Sequence, residues 1–442
     1  MILKRHVAGW LAALLCAGAA WAAANQHSPG SAFPSYAGRV MCGYQGWFRA
    51  AGDGSHEGWV HFGVNGEFDT NHLHIDYWPD TREYPDTYPT PFVLSNGQPA
   101  RVFSSWDAST VDVHFRWLRD YGIDGVFVQR FFEATRTESR RRQSRVVLEH
   151  ALAASQKYHR AIAVMYDLSG LNAPAEDCSS IITDWKELVD ELKLTRQGTN
   201  QTYLYHRGKP LVAIWGLGFP DRPYNIHQIG VEKLIAFLKD DPEYGGCAVL
   251  LGVPTYFRTL QRDCVADPYL HQLIASADVV LPWMVGRFST MQPAERTRYL
   301  AQLKADLAWC TERHLDYAPC VYPGFSWFNL SKTEFGGANP INQIPRQKGR
   351  FYWNQITAAK EAGVRMLYVA MFDEMDEGTA IFKCSNATPT GASFLNYEGL
   401  PADQYLWLTG RAGELLRGEL PFSSELPQRE RTLKNSPSPL SK

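Results

Sequence analysis

The stretch RMLYVAMFDEMDEGT, residues 365–379, joins an apolar run directly to a cluster of acids. Its first eight residues carry one charge, and such a run is typical of a strand buried on both faces of a parallel sheet. The next five residues contain four carboxylates, Asp373, Glu374, Asp376 and Glu377. If the run is a strand of a parallel barrel, these acids lie at its carboxyl end, which carries the active site in barrel enzymes.

Seven further apolar runs precede this one, and helix-like segments lie between most of them. In one such segment Val111, Phe115 and Leu118 recur at helical spacing, and Gly122 closes it. Alternation of strands and helices predicts a parallel sheet, and eight strands favour an α/β fold of the (β/α)8 TIM-barrel class. An open doubly wound sheet with an extra domain is the alternative. The seven runs are RVMCGYQ, GVFVQ, AIAVMYD, LVAIWG, AVLLGV, VVLPWM and YAPCVYP.

The N-terminus has the pattern of a secretory signal peptide over residues 1–24. Lys4 and Arg5 precede a short, Ala-rich apolar core, and Ala20-Trp21-Ala22 fits a small-x-small cleavage site. We therefore expect an exported protein, located in the periplasm or outside the cell.

The remaining chain divides by composition. Residues 25–37 are rich in Gly, Pro and Ser and predict a flexible lead-in, while residues 421–442 are polar and Pro/Ser-rich and predict a disordered tail. Residues 38–420 then form the barrel. A long segment after the first strand, residues 49–105, is an insertion expected on the catalytic rim.

Composition and motifs argue against several classes of function. A net charge of −2 over 442 residues gives no support for binding nucleic acid, and no mature stretch has the length of a membrane span. Motifs of ester hydrolases, kinases and dinucleotide enzymes are absent from the sequence. Aromatic residues reach 13%, which suits sugar-binding surfaces although most such rings fill cores.

No metal or organic cofactor is predicted. His72, His74 and Asp76 would share one face of an extended strand, a geometry compatible with a metal, but hydrogen bonding within a loop is the favoured interpretation. Seven cysteines follow the signal peptide, so at least one thiol is free. Bridges Cys178–Cys264 or Cys264–Cys384 are possible in an exported chain.

Residues directly after the strands form the predicted site. Some of these residues could instead have a purely structural role. Arg130 could pair with a structural acid, Asp167 could cap a helix, and each Trp could belong to the core. The predicted catalytic residues are Glu374 and Glu377, and the predicted substrate-binding residues are Tyr44, Gln45, Trp47, Gln129, Arg130, Asp167, Trp215, Trp283, Tyr322 and Trp327.

An aromatic rim around paired carboxylates suits cleavage of glycosidic bonds. That chemistry needs one carboxylic acid to protonate the leaving oxygen and a second carboxylate on the nucleophilic side. Glu374 and Glu377 are three apart, so a helical turn would place both on one face, where each raises the pKa of the other. The alternative is an acidic loop that caps a helix N-terminus.

DEMDEGT resembles the E-x-x-E-G-T segment of glycoside hydrolase family 99, the endo-acting α-mannosidases. Over residues 38–417 the chain is similar to secreted bacterial proteins called family 71/99-like, some of them labelled xylosidase/arabinosidase. The segments that carry this resemblance include GYQGWF, GKPLVAIWGLGF and PGFSWFN. The resemblance implies a (β/α)8 barrel that works with retention of configuration.

The resemblance also implies roles for the two glutamates. Glu374 matches the base that takes the proton from the sugar 2-hydroxyl, and Glu377 matches the acid/base for the leaving group and then for water. The family's segment is N-E-W-H-E, whereas this chain has Asp373, Met375 and Asp376 at the three variable places, so different substrate contacts are expected.

The sequence therefore predicts a secreted glycoside hydrolase that cleaves α-linked bonds in a poly- or oligosaccharide. The alternatives are a non-catalytic carbohydrate-binding barrel, and an α-1,3-glucanase or xylosidase/arabinosidase specificity on the same scaffold. The oligomeric state is not predicted.

Overall fold

The computed structural model describes residues 26–337 and 339–429. The strands are β1 (Val40–Tyr44), β2 (Tyr88–Val93), β3 (Pro99–Val102), β4 (Gly125–Phe131), β5 (Ala161–Asp167), β6 (Tyr205–His206), β7 (Lys209–Trp215), β8 (Ala248–Pro254), β9 (Val279–Trp283), β10 (Asp316–Tyr317), β11 (Cys320–Val321) and β12 (Leu367–Val369). The helices are α1 (Ala108–Asp120), α2 (Phe132–Thr135), α3 (Glu138–Tyr158), α4 (Ser179–Asp190), α5 (Val231–Asp240), α6 (Tyr269–Ala275), α7 (Pro293–Glu312), α8 (Phe328–Glu334), α9 (Arg350–Ala362) and α10 (Gln404–Arg417), with 3-10 turns at Thr81–Glu83 and Gln347–Gly349.

The predicted apolar runs form a parallel barrel of eight strands. The hydrogen-bonded order is β10-β9-β8-β7-β5-β4-β1-β12-β11. Strands β10 and β11 are two halves of one segment, of which the first pairs with β9 and the second with β12. The ring closes through this segment, so the (β/α)8 barrel is confirmed and the open doubly wound sheet is wrong.

The insertion after β1 lies over the rim of the barrel. It contains the antiparallel β2–β3 hairpin and ends before α1. Asp76 anchors it, because its carboxylate accepts hydrogen bonds from the backbone N–H groups of Phe328 (2.8 Å) and Asn329 (2.9 Å) at the start of α8. The N–H of Asp76 in turn donates to the carbonyl of Met375 at 3.2 Å. The insertion is thereby fixed to the acidic loop that follows β12.

Both ends of the described chain pack against the barrel. In the predicted lead-in, Tyr36 is fully buried and donates its hydroxyl to the carbonyl of Leu367 at 2.8 Å. In the predicted tail, Arg429 donates to Asp403 at 2.8 Å. The predicted signal peptide and residues 430–442 lie outside the described residues. Within the described residues no helix is both long and apolar enough to cross a bilayer.

All seven cysteines of the described chain are free thiols in buried positions. Neither bridge considered from the sequence, Cys178–Cys264 or Cys264–Cys384, is formed. Cys42 and Cys320 lie on barrel strands and Cys310 lies on α7, where a buried thiol packs as a small hydrophobic side chain.

Helix α10 closes the ring of helices and depends on one glycine. A Cβ at Gly410 would lie 1.9 Å from the carbonyl oxygen of Tyr121, whereas a Cβ at Gly413 would meet first the mobile end of Arg417 at 3.1 Å. The clash at Gly410 would be with a backbone atom, so it could be relieved only by moving the helix.

We expect Gly410→Ala to destabilise the protein by about 1–3 kcal/mol, the usual cost of overpacking. Gly413→Ala, one turn further along the same helix, should be neutral or stabilising by up to about 1 kcal/mol, since alanine is the better helix former. Chemical denaturation of the two variants measures both effects. Equal effects of the two substitutions would contradict the close approach at Gly410.

Candidate active site

The loop after β12 holds four buried or half-buried carboxylates within five residues, and Arg346 supports it from behind. The Arg346 guanidinium is buried and donates from Nη2 to the carbonyls of Gly378 and Ala380, both at 2.7 Å. It lies among the rings of Tyr77, Tyr397 and Tyr405, at 4.5–4.9 Å from their centroids. Such cation–π contacts stabilise a charge that is removed from water. The peptide bond Ala370–Met371, at the start of the loop, is cis.

Asp373 fastens the loop to the end of β1. Its two carboxylate oxygens each accept a backbone hydrogen bond at 2.8 Å, one from Gln45 and one from Gly46. Burial nevertheless raises its pKa to about 7. Both oxygens are used inside the protein, so Asp373 shapes the site rather than facing it.

Glu374 is buried and held on both carboxylate oxygens. Its Oε1 accepts from Gln45 Nε2 at 2.7 Å, and its Oε2 accepts from Thr379 Oγ1 at 2.5 Å. Burial, followed by the charge of Asp376, raises the pKa of Glu374 to about 8. The hydrogen bonds from Thr379 and Gln45 act in the opposite direction, because they favour the ionised form.

Glu377 has different surroundings from Glu374. It is half-buried, and among the described residues its carboxylate has no hydrogen-bond partner. Burial, and then the negative charges of Glu374 and Asp376, raise its pKa well above the usual range of a glutamate. The turn is fixed at Gly378, whose φ is +65° and whose Cβ, if present, would lie 2.8 Å from the N–H nitrogen of Ser326.

Asp376 pairs with a histidine of the insertion. Its Oδ2 lies 2.9 Å from Nδ1 of His61. The His61 ring stacks on Trp47, with centroids 3.6 Å apart and an interplanar angle of 5°. Burial lowers the pKa of His61 to about 3 and raises that of Asp376 to about 7.

A cavity of about 470 Å³ opens beside Glu377, between the insertion and α8. It combines indole and imidazole rings with carboxylates, a lining that suits a polyhydroxylated ligand. The side chains that matter for its chemistry are Trp47, Trp59, His61, His74, Glu334, Asp376 and Glu377.

The interior of the barrel below the acids is aromatic. Tyr368 accepts a hydrogen bond from Gln129 Nε2 at 2.9 Å, and Trp283 lies 6.3 Å from the Tyr368 ring. Gly43 on β1 makes room for this arrangement, since a Cβ there would lie 2.1 Å from the Tyr368 hydroxyl. The negative charges of Glu374 and Asp167 both contribute to raising the pKa of Tyr368, after burial. Gln129 and Trp283 therefore belong to the floor of the site.

Asp167 and Trp215 lie at the same end of the barrel. Asp167 accepts from the N–H of Ser169 at 2.8 Å, and burial raises its pKa to about 6. The Trp215 ring is covered by Phe219, by Trp283 and by the guanidinium of Arg222 at 5.2 Å. The Trp215 ring is therefore packed among its neighbours. Trp283 and Trp327 are half-buried and retain accessible surface.

Three predicted binding residues do not reach the site, because adjacent residues of a strand point to opposite faces. Tyr44 hydrogen-bonds His114 of α1 at 2.9 Å, and Arg130 forms an ion pair with Asp184 of α4, with Nε 2.8 Å from Oδ2. Tyr322 packs on Phe351 of α9, with ring centroids 5.2 Å apart. All three join the barrel to its helices. Trp47 does reach the cavity, but His61 and Phe131 already stack on its ring, which leaves little face for a sugar.

His72, His74 and Asp76 do not converge on one point. His72 lies with Glu67 and Asp69 in a cluster whose candidate ligand atoms are within 4.8 Å of one another, and of the three residues only Glu67 is exposed. His74 Nε2 lies 3.1 Å from Glu334 Oε1. The carboxylate of Asp76 already accepts hydrogen bonds from the backbone at the start of α8. The interpretation of these residues as hydrogen-bonding loop residues agrees with this placement.

Several residues of the site have no sequence signal of their own. His61, Trp59 and Arg346 lie in irregular segments outside the strand ends, and Asp376 meets His61 across 315 positions of sequence. Thr379 belongs to the acidic stretch, and only the fold shows that its hydroxyl binds Glu374.

The buried acids predict that stability falls as pH rises. Asp167, Asp373, Glu374 and Asp376 have folded pKa values of about 6, 7, 8 and 7, above the values of about 4 expected in the unfolded chain. Between pH 4 and 8 the folded state therefore binds more protons, so the free energy of unfolding decreases with pH.

We expect Tm to be highest near pH 5 and to fall by several degrees towards pH 8–9, as followed by calorimetry. Glu374→Gln should flatten this slope, whereas the exposed Glu312→Gln should leave it unchanged. A Tm that rises from pH 5 to pH 8 would show that these acids are ionised at little cost.

Structural comparison relates the fold to known proteins. No family model matches the sequence, and no curated protein matches it. Two solved structures that are similar to this chain are of the family 99 endo-α-mannosidase from Bacteroides thetaiotaomicron, one of them in complex with BIS-TRIS-propane. Each aligns with a TM-score of 0.59 at 15% identity and covers 86% of this chain and 98% of the other. The chain therefore shares the barrel fold of these glycoside hydrolase family 99 structures, as its DEMDEGT segment implied.

Proposed function

We propose that this protein is a glycoside hydrolase in which Glu374 and Glu377 act on an α-linked glycosidic bond. The observation that carries the proposal is the unequal environment of two neighbouring glutamates at the mouth of the barrel. Burial raises the pKa of both carboxyl groups, but only Glu374 has side-chain hydrogen-bond donors on its oxygens among the described residues, and such a difference in surroundings is typical of an acid/base pair. The fold shared with family 99 endo-α-mannosidase structures supports the reaction class.

Of the two glutamates, Glu374 is the better suited to accept a proton, because the bonds from Thr379 and Gln45 oppose the burial that raises its pKa. Gln45 Nε2 and Thr379 Oγ1 donate to its two oxygens, and both bonds stabilise the carboxylate and fix its orientation. By the resemblance to family 99, this carboxylate would take the proton of the sugar 2-hydroxyl, whose oxygen then attacks the neighbouring anomeric carbon while the leaving group departs.

Glu377 is suited to give a proton. It has no donor on its carboxylate among the described residues, and like charges on Glu374 and Asp376 disfavour its ionisation. A protonated Glu377 beside the cavity can donate to the leaving oxygen and then, as a carboxylate, take a proton from the attacking water. When the water attacks the anomeric carbon, the bond from that carbon to the 2-oxygen breaks and Glu374 returns its proton to the 2-oxygen. The two steps thus restore both glutamates and retain the anomeric configuration.

The substrate is proposed as an α-linked oligo- or polysaccharide of undefined sugar, and mannan is one candidate among several. Export is proposed as well, on the pattern of residues 1–24. Neither proposal requires a metal or an organic cofactor.

The test is a panel of α-mannans, α-glucans, arabinans and xylans, with release of reducing ends and the anomeric form of the first product as readouts. Glu374→Gln and Glu377→Gln should each lower kcat by about 10²–10⁴-fold, and Glu312→Gln should not change it. If the wild-type protein binds a glycan but does not cleave it, the hypothesis of an enzyme is wrong, and the protein is a non-catalytic carbohydrate-binding barrel.

The roles of base and acid can be distinguished with a substrate whose leaving group needs no proton, such as a glycosyl fluoride of the preferred sugar. Glu377→Gln should regain most of the lost rate on the fluoride, because acid assistance is then unnecessary, and Glu374→Gln should not. If Glu374→Gln is the variant that recovers, the assignment of base and acid is reversed.

A further inference from the structure

His61 is placed as a part of the binding site that the mechanism above does not use. Its side chain is 32% exposed and lines the cavity beside Glu377. Its Nδ1 lies 2.9 Å from Asp376 Oδ2, and among the described residues its Nε2 has no hydrogen-bond partner. One ring nitrogen is thus committed to the protein, and the other is free for a ligand.

The ring is held in one orientation from two directions. Trp47 stacks on it at 3.6 Å, and Asp376 binds its edge. The backbone of His61 has φ = +61°, a left-handed conformation in which histidine is more frequent than most non-glycine residues. This conformation keeps the imidazole between the indole and the acidic loop.

The cavity that His61 faces has the chemistry of a site for a neutral, hydroxylated ligand. Burial lowers the pKa of His61 to about 3 and that of His74 to about 4, so both imidazoles are neutral near pH 7. A neutral ring nitrogen can exchange a hydrogen bond with a hydroxyl group, and its polarity is set by the bond that the other nitrogen makes. Trp59 contributes apolar surface in the same cavity.

We propose that His61 Nε2 binds a hydroxyl of the sugar unit on the leaving-group side of the scissile bond, with Asp376 and Trp47 as its positioning residues. The side is assigned because Glu377 lines this cavity and Glu374 does not. This inference rests on the proposed function, since it uses Glu377 as the acid that faces the leaving group.

The decisive variant is His61→Asn. Asparagine tolerates left-handed backbone, and its shorter amide can replace Nδ1 towards Asp376 but cannot reach the position of Nε2. His61→Gln extends its amide towards the Nε2 position. His72→Ala is the matched control, because His72 is on the same insertion and pairs with Glu67 and Asp69 but does not line the cavity.

Binding is measured by calorimetry in the Glu374→Gln background, with α-mannan, α-glucan and xylan tetrasaccharides as probes, so that turnover does not interfere. His61→Asn should weaken binding of the accepted tetrasaccharide by about 3–10-fold, the usual range for one hydrogen bond. His61→Gln should recover part of this loss, and His72→Ala should bind like its parent. Thermal melts check that each variant is folded.

The outcomes separate the two proposals. If wild-type protein cleaves a glycan and His61→Asn binds it as tightly as its parent, His61 only supports Asp376 and this inference is wrong while the function stands. A parent protein that neither binds nor cleaves any glycan of the panel overturns the proposed function and this inference with it.

Discussion

The structure around the site is organised by one constraint: four carboxylates lie within five residues in a place that excludes most water. Removing a charge from water is costly unless hydrogen bonds or an opposite charge replace the solvent. The groups that compensate for the loss of water differ from one carboxylate to the next. The pKa of all four acids is raised by burial, but their partners differ: backbone N–H groups bind Asp373, side-chain donors bind Glu374, an imidazole binds Asp376, and the Glu377 carboxylate has no hydrogen-bond partner among the described residues. The chemistry follows from this inequality, because identical surroundings would give four equivalent acids.

Arg346 makes this arrangement possible from the opposite side of the loop. Its two bonds to the Gly378 and Ala380 carbonyls fix the turn, and its positive charge lies among tyrosine rings rather than beside a carboxylate. An aspartate partner would have added a fifth buried acid and would have neutralised the cation locally.

The sequence could predict the barrel and the position of the acidic loop at its rim because both have local signals. A run of apolar residues identifies a buried strand, and the residues after the run must lie on one rim. The errors share a cause: Tyr44, Arg130 and Tyr322 also follow or end such runs, and which face each side chain takes depends on where the strand stops pairing. His61, Arg346 and Asp76 could not be placed, since each acts on a segment more than thirty residues away with no periodicity to reveal it.

The same contacts change the meaning of the departures from the family 99 segment. Asp373 replaces the asparagine of N-E-W-H-E, yet both of its oxygens bind backbone N–H groups of the β1 turn, so this change concerns the scaffold. Asp376 replaces the histidine and binds His61 of the insertion instead. The aspartate brings an imidazole from a distant segment into the cavity beside Glu377. Because the insertion contacts the acidic loop through both Asp76 and His61, we expect changes in this insertion to alter the cavity beside Glu377.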